Sequence, residues 1–369
     1  MHMPRLPETG VVLIGATGRV GRQVLALIAV HGIGRRLRLV AAANSRTHLL
    51  ALDGLDPLDT VRRLELAPAS DVPLAAALAG LPRPLAVVDC TASADIAAQY
   101  PHWLGAGIDI VTPSKFGPSA DWPLYDDMRA AQTAAGTLVR DSGTVGAHLP
   151  LLGTLRELRQ AGDRVRGFEA VLSGTLSFVL GRAQQGAALS AAVQEAVALG
   201  YAEPNPTRDL SGEDAARKLV IMLRALGHRV EYADIERVPL VDPSRIDGIE
   251  VARLPTALAE ADELWRARAA IADTRHERWV YRACWQDGRA RVAPERVARD
   301  HPLARLAPCE NALILHSNYY RDAPLTIAGP GAGVELTAAA VFADLLDAAQ
   351  NQAALHAPAP FAKAEAMAA

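Results

Sequence analysis

Short apolar runs recur through the first part of the chain, each closed by glycine or small polar residues. They are Gly10-Val-Val-Leu-Ile14, Leu37 to Ala43, Leu85-Ala-Val-Val-Asp-Cys90, Ile108-Asp-Ile-Val111 and Leu138-Val139. Runs of this length predict buried strands. Helical patterns lie between them, through Val24, Leu25, Leu27 and Ile28, and again through Ala98 and Trp103. Strands alternating with helices predict an α/β fold with a parallel, doubly wound sheet.

After Pro150 the texture changes. Leu151 to Gln160 reads as a helix and Arg166 to Leu172 as a strand, followed by Ser173-Gly-Thr-Leu176 and a further helix. Residues 245–320 hold strand-like runs, Trp279–Trp285 and Ala312–His316, separated by charged turns. This predicts a second, α+β domain with its own sheet. Gly329-Pro-Gly-Ala-Gly333 then opens a helix over Val334–Ala349, which suggests that the chain returns to the first domain. Residues 350–369 are rich in Ala and Pro and are expected to be disordered. Residues 1–9 read as a loose arm.

The first strand runs into Gly15-Ala16-Thr17-Gly18-Arg19-Val20-Gly21 and then a helix. Strand, glycine turn and helix form the context of a dinucleotide fingerprint. Glycines allow close backbone approach to a pyrophosphate, and a helix N-terminus favours its charge. Glycine turns of this kind also occur as plain packing. The second strand ends in Asn44-Ser45-Arg46, with no acid for a ribose 2′-hydroxyl. Arg46 is placed to meet a 2′-phosphate, which leans the reading toward NADP over NAD; the alternative is a surface arginine. Lys115, in Thr112-Pro-Ser-Lys115, stands at a strand's carboxyl end, where ligands bind in such sheets. On position alone it also reads as an ordinary loop lysine.

The most chemical stretch is Gly200 to Leu226, GYAEPNPTRDLSGEDAARKLVIMLRAL. Its loop carries Glu203 and Asp209. Ser211 is expected to start a helix with Asp214 three residues on, a capping-box spacing. Asp214 and Lys218 are four apart and share a face. Glu213, Arg217, Arg224 and His228 form the charged stripe, whereas Asp214 and Lys218 lie beside Ile221, Met222 and Ala225. A carboxylate and an amine drawn toward an apolar surface are candidates for proton transfer. A solvated ion pair is the commoner use of such spacing.

Composition narrows the class. The 369 residues suffice for two domains; half are hydrophobic, and the net charge is -3, which points to no nucleic-acid or membrane partner. Cys90, Cys284 and Cys309 have no metal-ligand spacing and fit a reduced, cytoplasmic compartment. The N-terminus does not read as a signal peptide, and no apolar run reaches the roughly 20 residues of a membrane span.

Together these segments resemble the homoserine dehydrogenase family over roughly residues 10–347. GYAEPNPTRDLSGEDAARKL is similar to that family's G(Y/F)xEPxPxxDLxGxDxARK. VVDCTAS, VTPSK, TVGAxLP, SGTLS, ENALILHSNYY and GPGAGVELTAAAVFADLL add matches in the same order. The likeness is nearest to the dehydrogenase portion of bifunctional aspartokinase–homoserine dehydrogenases; no kinase or ACT-type regulatory segment is expected in this chain.

The resemblance implies a Rossmann-type domain over 10–148, completed by 328–349, and a substrate-binding and dimerisation domain over 149–327. It implies NAD(P)-dependent interconversion of L-aspartate 4-semialdehyde and L-homoserine by a homodimer acting on a small amino acid. Lys218 matches the proton donor and acceptor, and Lys115 a second lysine beside nicotinamide and substrate. Glu203 and Asp214 match acids that bind the substrate amine. Asp209, Thr175 and Tyr201 match further pocket positions. Gly15, Gly18, Gly21, Thr91, Ser93, Lys115, Gly200 and Gly331 match cofactor positions. Val145, Ala147 and Leu149 match carbonyl ligands of a structural sodium ion.

Three departures stand out. The GATGRVG turn is one residue longer than GxGxxG. SKFGPS replaces the usual NKxxN or NKxxL. His148 replaces a glycine, and Ser142 stands where an acidic sodium ligand is usual. They keep two alternatives open: a dehydrogenase for a homoserine analogue in a specialised pathway, and a non-catalytic nucleotide-binding homologue.

Overall fold

The structure is a computed structural model and describes residues 8–32, 34, 36–202 and 205–356. The chain divides into two compact units, residues 1–144 with 334–369 and residues 145–333. The sequence reading placed these divisions at 148/149 and 327/328.

The first unit alternates strand and helix: β1 (Thr9–Ile14), α1 (Arg19–His31), β2 (Leu37–Ala43), β3 (His48–Leu50), α2 (Pro57–Leu66), α3 (Leu74–Ala79) and β4 (Leu85–Asp89). It continues with α4 (Ala94–Ala97), α5 (Tyr100–Gly105), β5 (Asp109–Val111), α6 (Trp122–Ala135) and β6 (Val139–Arg140). The sheet order is β3-β2-β1-β4-β5-β6. All pairings are parallel except β2–β3, a short antiparallel edge that the sequence reading missed. Strand side chains alternate between two cores. Val11, Leu13, Ala86 and Val88 pack with α1 and α2, while Val12, Ile14, Leu85 and Val87 pack with α3, α5 and α6. Both faces are covered, which is why these strands read as continuous apolar runs.

The second unit contains α7 (Leu151–Gln160), β7 (Val165–Val171), α8 (Gly174–Gln184), α9 (Leu189–Ala198), α10 (Thr207–Leu210) and α11 (Glu213–Ala225). Next come β8 (Glu236–Arg237), α12 (Leu254–Ala257), α13 (Ala259–Thr274), β9 (Glu277–Gln286), β10 (Arg289–Ala298), β11 (Glu310–Ser317) and β12 (Leu325–Pro330). Its sheet has the order β12-β11-β7-β9-β10-β8. One face, with Phe168, Tyr281, Ala283 and Leu313, packs on Leu155, Leu180, Val193, Leu219 and Trp265 of the helices. Each Leu, Val or Phe among them, fully buried, contributes about 1.5–3 kcal/mol. The charged segment before β9, read only as turns, forms the sixteen-residue helix α13.

The chain then re-enters the first unit as α14 (Val334–Leu355). This helix passes the expected stop at Ala349, so residues 350–355 are helical rather than disordered. The cause is side-chain anchoring. Gln352 Nε2 donates to Gly107 O (3.1 Å) and Asp109 Oδ1 (3.0 Å), and its Oε1 accepts from Leu85 N (3.2 Å). Asn351 Nδ2 donates to Asp109 Oδ2 (3.0 Å). Residues 1–7 of the expected arm and 357–369 of the expected tail lie outside the described residues.

Candidate active site

In the first unit, β1 ends at a turn shaped for a close backbone approach. Gly15 has φ +79°, and a Cβ there would lie 2.9 Å from Cys90 O. A Cβ on Gly21 would lie 2.2 Å from Gly15 O, so α1 packs directly on the turn. Gly18 caps α1 without any side-chain hydrogen bond. The amides of Gly15 and Ala16 both donate to Ala43 O of β2 (2.9 and 3.0 Å), and Gly18 N donates to Gly15 O (3.0 Å). Thr17 is half-buried, as is Val20, while Arg19 is exposed at the helix start.

A buried polar network organises the next strand ends. Asp89 Oδ2 accepts from Tyr100 Oη (2.5 Å) and Asp89 Oδ1 from Thr91 N (2.8 Å). Thr112 Oγ1 donates to Asp89 O (2.9 Å) and accepts from Ser114 N (2.9 Å). Ser93 N donates to Thr91 Oγ1 (3.3 Å), and Ser93 Oγ accepts from Ile96 N (3.3 Å) to cap α4. Burial raises the Asp89 carboxyl above its ordinary range and, with the Asp89 charge, raises the Tyr100 phenol. This network positions the loop bearing Lys115, whose carbonyl accepts from Ser119 N and Oγ (2.8 and 2.7 Å). Ser114 Oγ, beside Lys115, is buried without a hydrogen-bond partner among the described residues. The sequence reading missed Asp89, Tyr100 and Thr112; an acid closing the apolar run LAVVD was the available signal.

Arg46 is exposed, and its guanidinium donates to Glu65 O (3.0 Å) and Ala67 O (3.4 Å). A cation at the C-terminal carbonyls of α2 is a favourable placement in its own right.

In the second unit, α11 brings Lys218 and Asp214 together as expected. Lys218 Nζ lies 2.8 Å from Asp214 Oδ2, with side-chain exposures of 12% and 40%. Nζ also donates to Leu172 O (2.7 Å) at the end of β7. The helix start differs from the expectation. Ser211 closes α10, and the N-cap of α11 is Gly212, with no capping box. Gly212 has φ +76°, which suits glycine. Arg224 also differs: it is buried, donating to Val230 O (2.9 Å), so it leaves the charged stripe. The pair Glu213–Arg217 (3.0 Å) stays on that stripe.

Thr175, near the start of α8, donates its hydroxyl to Tyr201 O. The Tyr201 ring meets Phe178 edge-on at 5.1 Å. Asp209 is half-buried in α10, and Gly200 follows α9 at φ +74°. Glu203 lies outside the described residues. Gly331 lies against Asn311, where a Cβ would come within 2.0 Å of Asn311 Cγ.

Val145 and Ala147 are buried, and Gly146 and Ala147 have φ +76° and +54°. The left-handed positions are therefore 146 and 147; His148, exposed, is not among them. Leu149 O accepts from Leu151 N (2.7 Å). In the first unit, Ser142 N and Oγ both donate to Asp344 (2.8 Å each), whose carboxyl is pushed up to about 6 by burial. Among the described residues no group of three His, Cys, Asp or Glu side chains is arranged to hold a metal.

The sequence profile of homoserine dehydrogenase matches residues 150–346, and that of the homoserine dehydrogenase NAD-binding domain matches residues 17–140. The chain belongs to the homoserine dehydrogenase family. This family member is 34% identical over 318 residues to the bifunctional aspartokinase/homoserine dehydrogenase of Haemophilus influenzae, covering 85% of the chain and 39% of that protein. It spans between 29% and 39% of the length of the first curated relatives it matches. Among solved structures, a Candida auris protein described as of unknown function superposes with TM-score 0.85 at 30% identity, covering 94% of this chain and 99% of that one. A hyperthermophilic archaeal homoserine dehydrogenase in complex with NADPH shares the fold, with TM-score 0.72 at 22% identity and coverage of 92% and 97%.

Proposed function

We propose that the protein catalyses the reversible NAD(P)H-dependent reduction of L-aspartate 4-semialdehyde to L-homoserine. The observation that carries this reading is Lys218, held by Leu172 O and Asp214 within the family's own motif. The glycine turn, the uncapped start of α1 and the unpartnered Ser114 hydroxyl fit a dinucleotide. Gly15 to Gly21 would hold its pyrophosphate, with Thr91, Ser93 and Lys115 toward the reactive ring and Gly200 and Gly331 as the family's remaining positions. When bound, the cofactor supplies the hydride.

The chain's own residues bind, orient and move a proton. Asp214, with Glu203, receives the substrate ammonium. Thr175, Tyr201 and Asp209 complete the substrate pocket. Lys218 gives a proton from Nζ to the carbonyl oxygen as negative charge develops there, and takes it back in the reverse direction. The two acceptors on Nζ fix its position, so the amine is aimed before substrate arrives. The protein works as a cytoplasmic homodimer. No described helix is long and apolar enough to cross a membrane. Absorbance at 340 nm with homoserine and each cofactor tests the reading, and absence of turnover with both cofactors would leave a nucleotide-binding homologue. The departures at SKFGPS and His148 favour one second reading, a homoserine analogue as substrate. Comparison of several 2-amino-4-oxo acids separates the two.

NADP is the proposed preference, through Arg46. Arg46→Ala weakens NADPH binding more than NADH binding, because only NADPH carries a 2′-phosphate for the guanidinium. Equal losses in fluorescence titrations would restrict Arg46 to its bonds with Glu65 and Ala67 at the end of α2.

Sodium dependence is expected to be slight. Val145, Ala147 and Leu149 are the family's carbonyl positions, and one of the two lone pairs of Leu149 O is taken by Leu151 N. Ser142 also lacks the charge that usually balances the cation. Activity should stay nearly flat when sodium is exchanged for a large organic cation at constant ionic strength. A steep, saturable requirement would restore the ion site.

A further inference from the structure

The second unit contains a cavity of about 1120 Å³ that the proposed reaction leaves unused. Arg159, Arg164, Arg166, Arg229, His228 and Trp285 line it. Arg159, Arg164 and Arg166 come from the end of α7 and the approach and start of β7, and the fold brings Arg229, from the segment after α11, to them. The His228 ring packs on Trp285 at 4.6 Å between centroids. Burial, and then the Arg164 charge, lower the His228 pKa.

Asp163, Asp234 and Asp287 also line the cavity, and the first two are committed to local bonds. Asp163 is buried and accepts from Ser317 Oγ (2.5 Å), Asn318 N (3.0 Å) and Tyr319 N (3.3 Å). Asp234 accepts from Glu231 N (2.8 Å). Arg166 donates to the neutral Asn318 Oδ1 (3.0 Å). Among the described residues no carboxylate forms an ion pair with Arg159, Arg164 or Arg166. Exposed guanidinium groups converging on one concavity focus positive potential, and their planar forks match phosphate and carboxylate oxygens. The volume is at or slightly above that of ordinary small-molecule sites, roughly 300–1,000 Å³.

We infer that this cavity is a binding site for a small multivalent oxyanion, with phosphate or carboxylate groups on the arginines and its body against His228 and Trp285. Two elements link it to Lys218: Leu223 of α11, the helix that carries Lys218, and Val165 of β7, the strand that runs into Leu172, are in its wall.

Calorimetric titration of the full chain with sodium tripolyphosphate and with citrate, at constant ionic strength, tests the site. With the glycine turn occupied by saturating NADPH, saturable binding of one further anion per chain is expected. The double variant Arg159→Ser/Arg164→Ser weakens it by about tenfold or more, the size of one charge-assisted bond. Both side chains are exposed, so the fold is expected to persist, and a melting curve checks this. Arg19→Ser, in the glycine turn of the first unit, leaves the binding unchanged. Tighter tripolyphosphate binding assigns phosphate, and tighter citrate binding assigns polycarboxylate. A second measurement needs no variant: the bound anion raises the His228 titration midpoint in NMR spectra of the histidine-labelled chain. Absence of saturable binding, an unmoved His228, or loss through Arg19→Ser rather than the double variant would overturn the site.

Discussion

Lys218→Ala lowers turnover in both directions by about 10²-fold or more, with cofactor affinity near that of the parent chain. Acid–base help of this kind is worth about 10²–10⁴-fold. Lys218 lies on α11, and the glycine turn is held by backbone bonds of its own, from Gly15 N and Ala16 N to Ala43 O and from Gly18 N to Gly15 O. A purely structural lysine is the competing account. Its loss would remove one donor from the buried Leu172 carbonyl, costing about 1–3 kcal/mol of stability. The ion pair with Asp214 is lost as well, and it is only partly screened, since the lysine side chain is 12% exposed and the aspartate 40%. Lys218→Arg separates the two accounts. Arginine keeps the charge but stays protonated to above about pH 12, so it cannot cycle a proton. A proton-transfer role therefore predicts that the arginine variant folds, binds cofactor and still fails to turn over. Retention of more than about a tenth of turnover in the alanine variant would remove Lys218 from the chemistry.

Helical spacing made this pair legible. A four-residue separation places two side chains on one face whatever the rest of the fold does. The parallel strands were legible for a similar reason, since β1, β2 and β4 are apolar on both faces. Other features depend on partners distant in sequence. Arg224 has the composition of a surface residue, but Val230 O accepts its guanidinium inside the unit. Asn351 and Gln352 resemble a polar tail until Asp109, Gly107 and Leu85 accept and supply their hydrogen bonds. Asp89 looks like a strand's polar end, and only the fold brings Tyr100 to it. In the TVGA loop the left-handed residues are Gly146 and Ala147, and His148, which replaces the family glycine, is not one of them.

The start of α11 shows the same dependence and carries the second large expected effect. Gly212→Ala lowers both stability and turnover. At φ +76° a non-glycine residue costs about 1–2 kcal/mol. A Cβ at this position would lie 1.9 Å from Tyr281 Oη and 2.9 Å from Tyr281 Cζ, so backbone or ring must shift. Moving the ring breaks the bond from Tyr281 Oη to Val238 O (2.8 Å), worth about 1 kcal/mol. Moving the backbone displaces the first turn of α11, where Asp214 follows Gly212 by two residues and faces Lys218. A displacement near 1 Å at a reacting group can cost roughly 10²-fold. The expected result is therefore a lower melting temperature together with a fall in kcat of about 10- to 100-fold. Tyr281→Phe discriminates between this steric account and general damage. It removes the hydroxyl that the new methyl would meet, so Gly212→Ala should cost less in the Tyr281→Phe background than in the parent chain. Equal costs in both backgrounds, or a Gly212→Ala variant that melts and turns over like the parent, would show that the Tyr281 contact does not set the start of this helix.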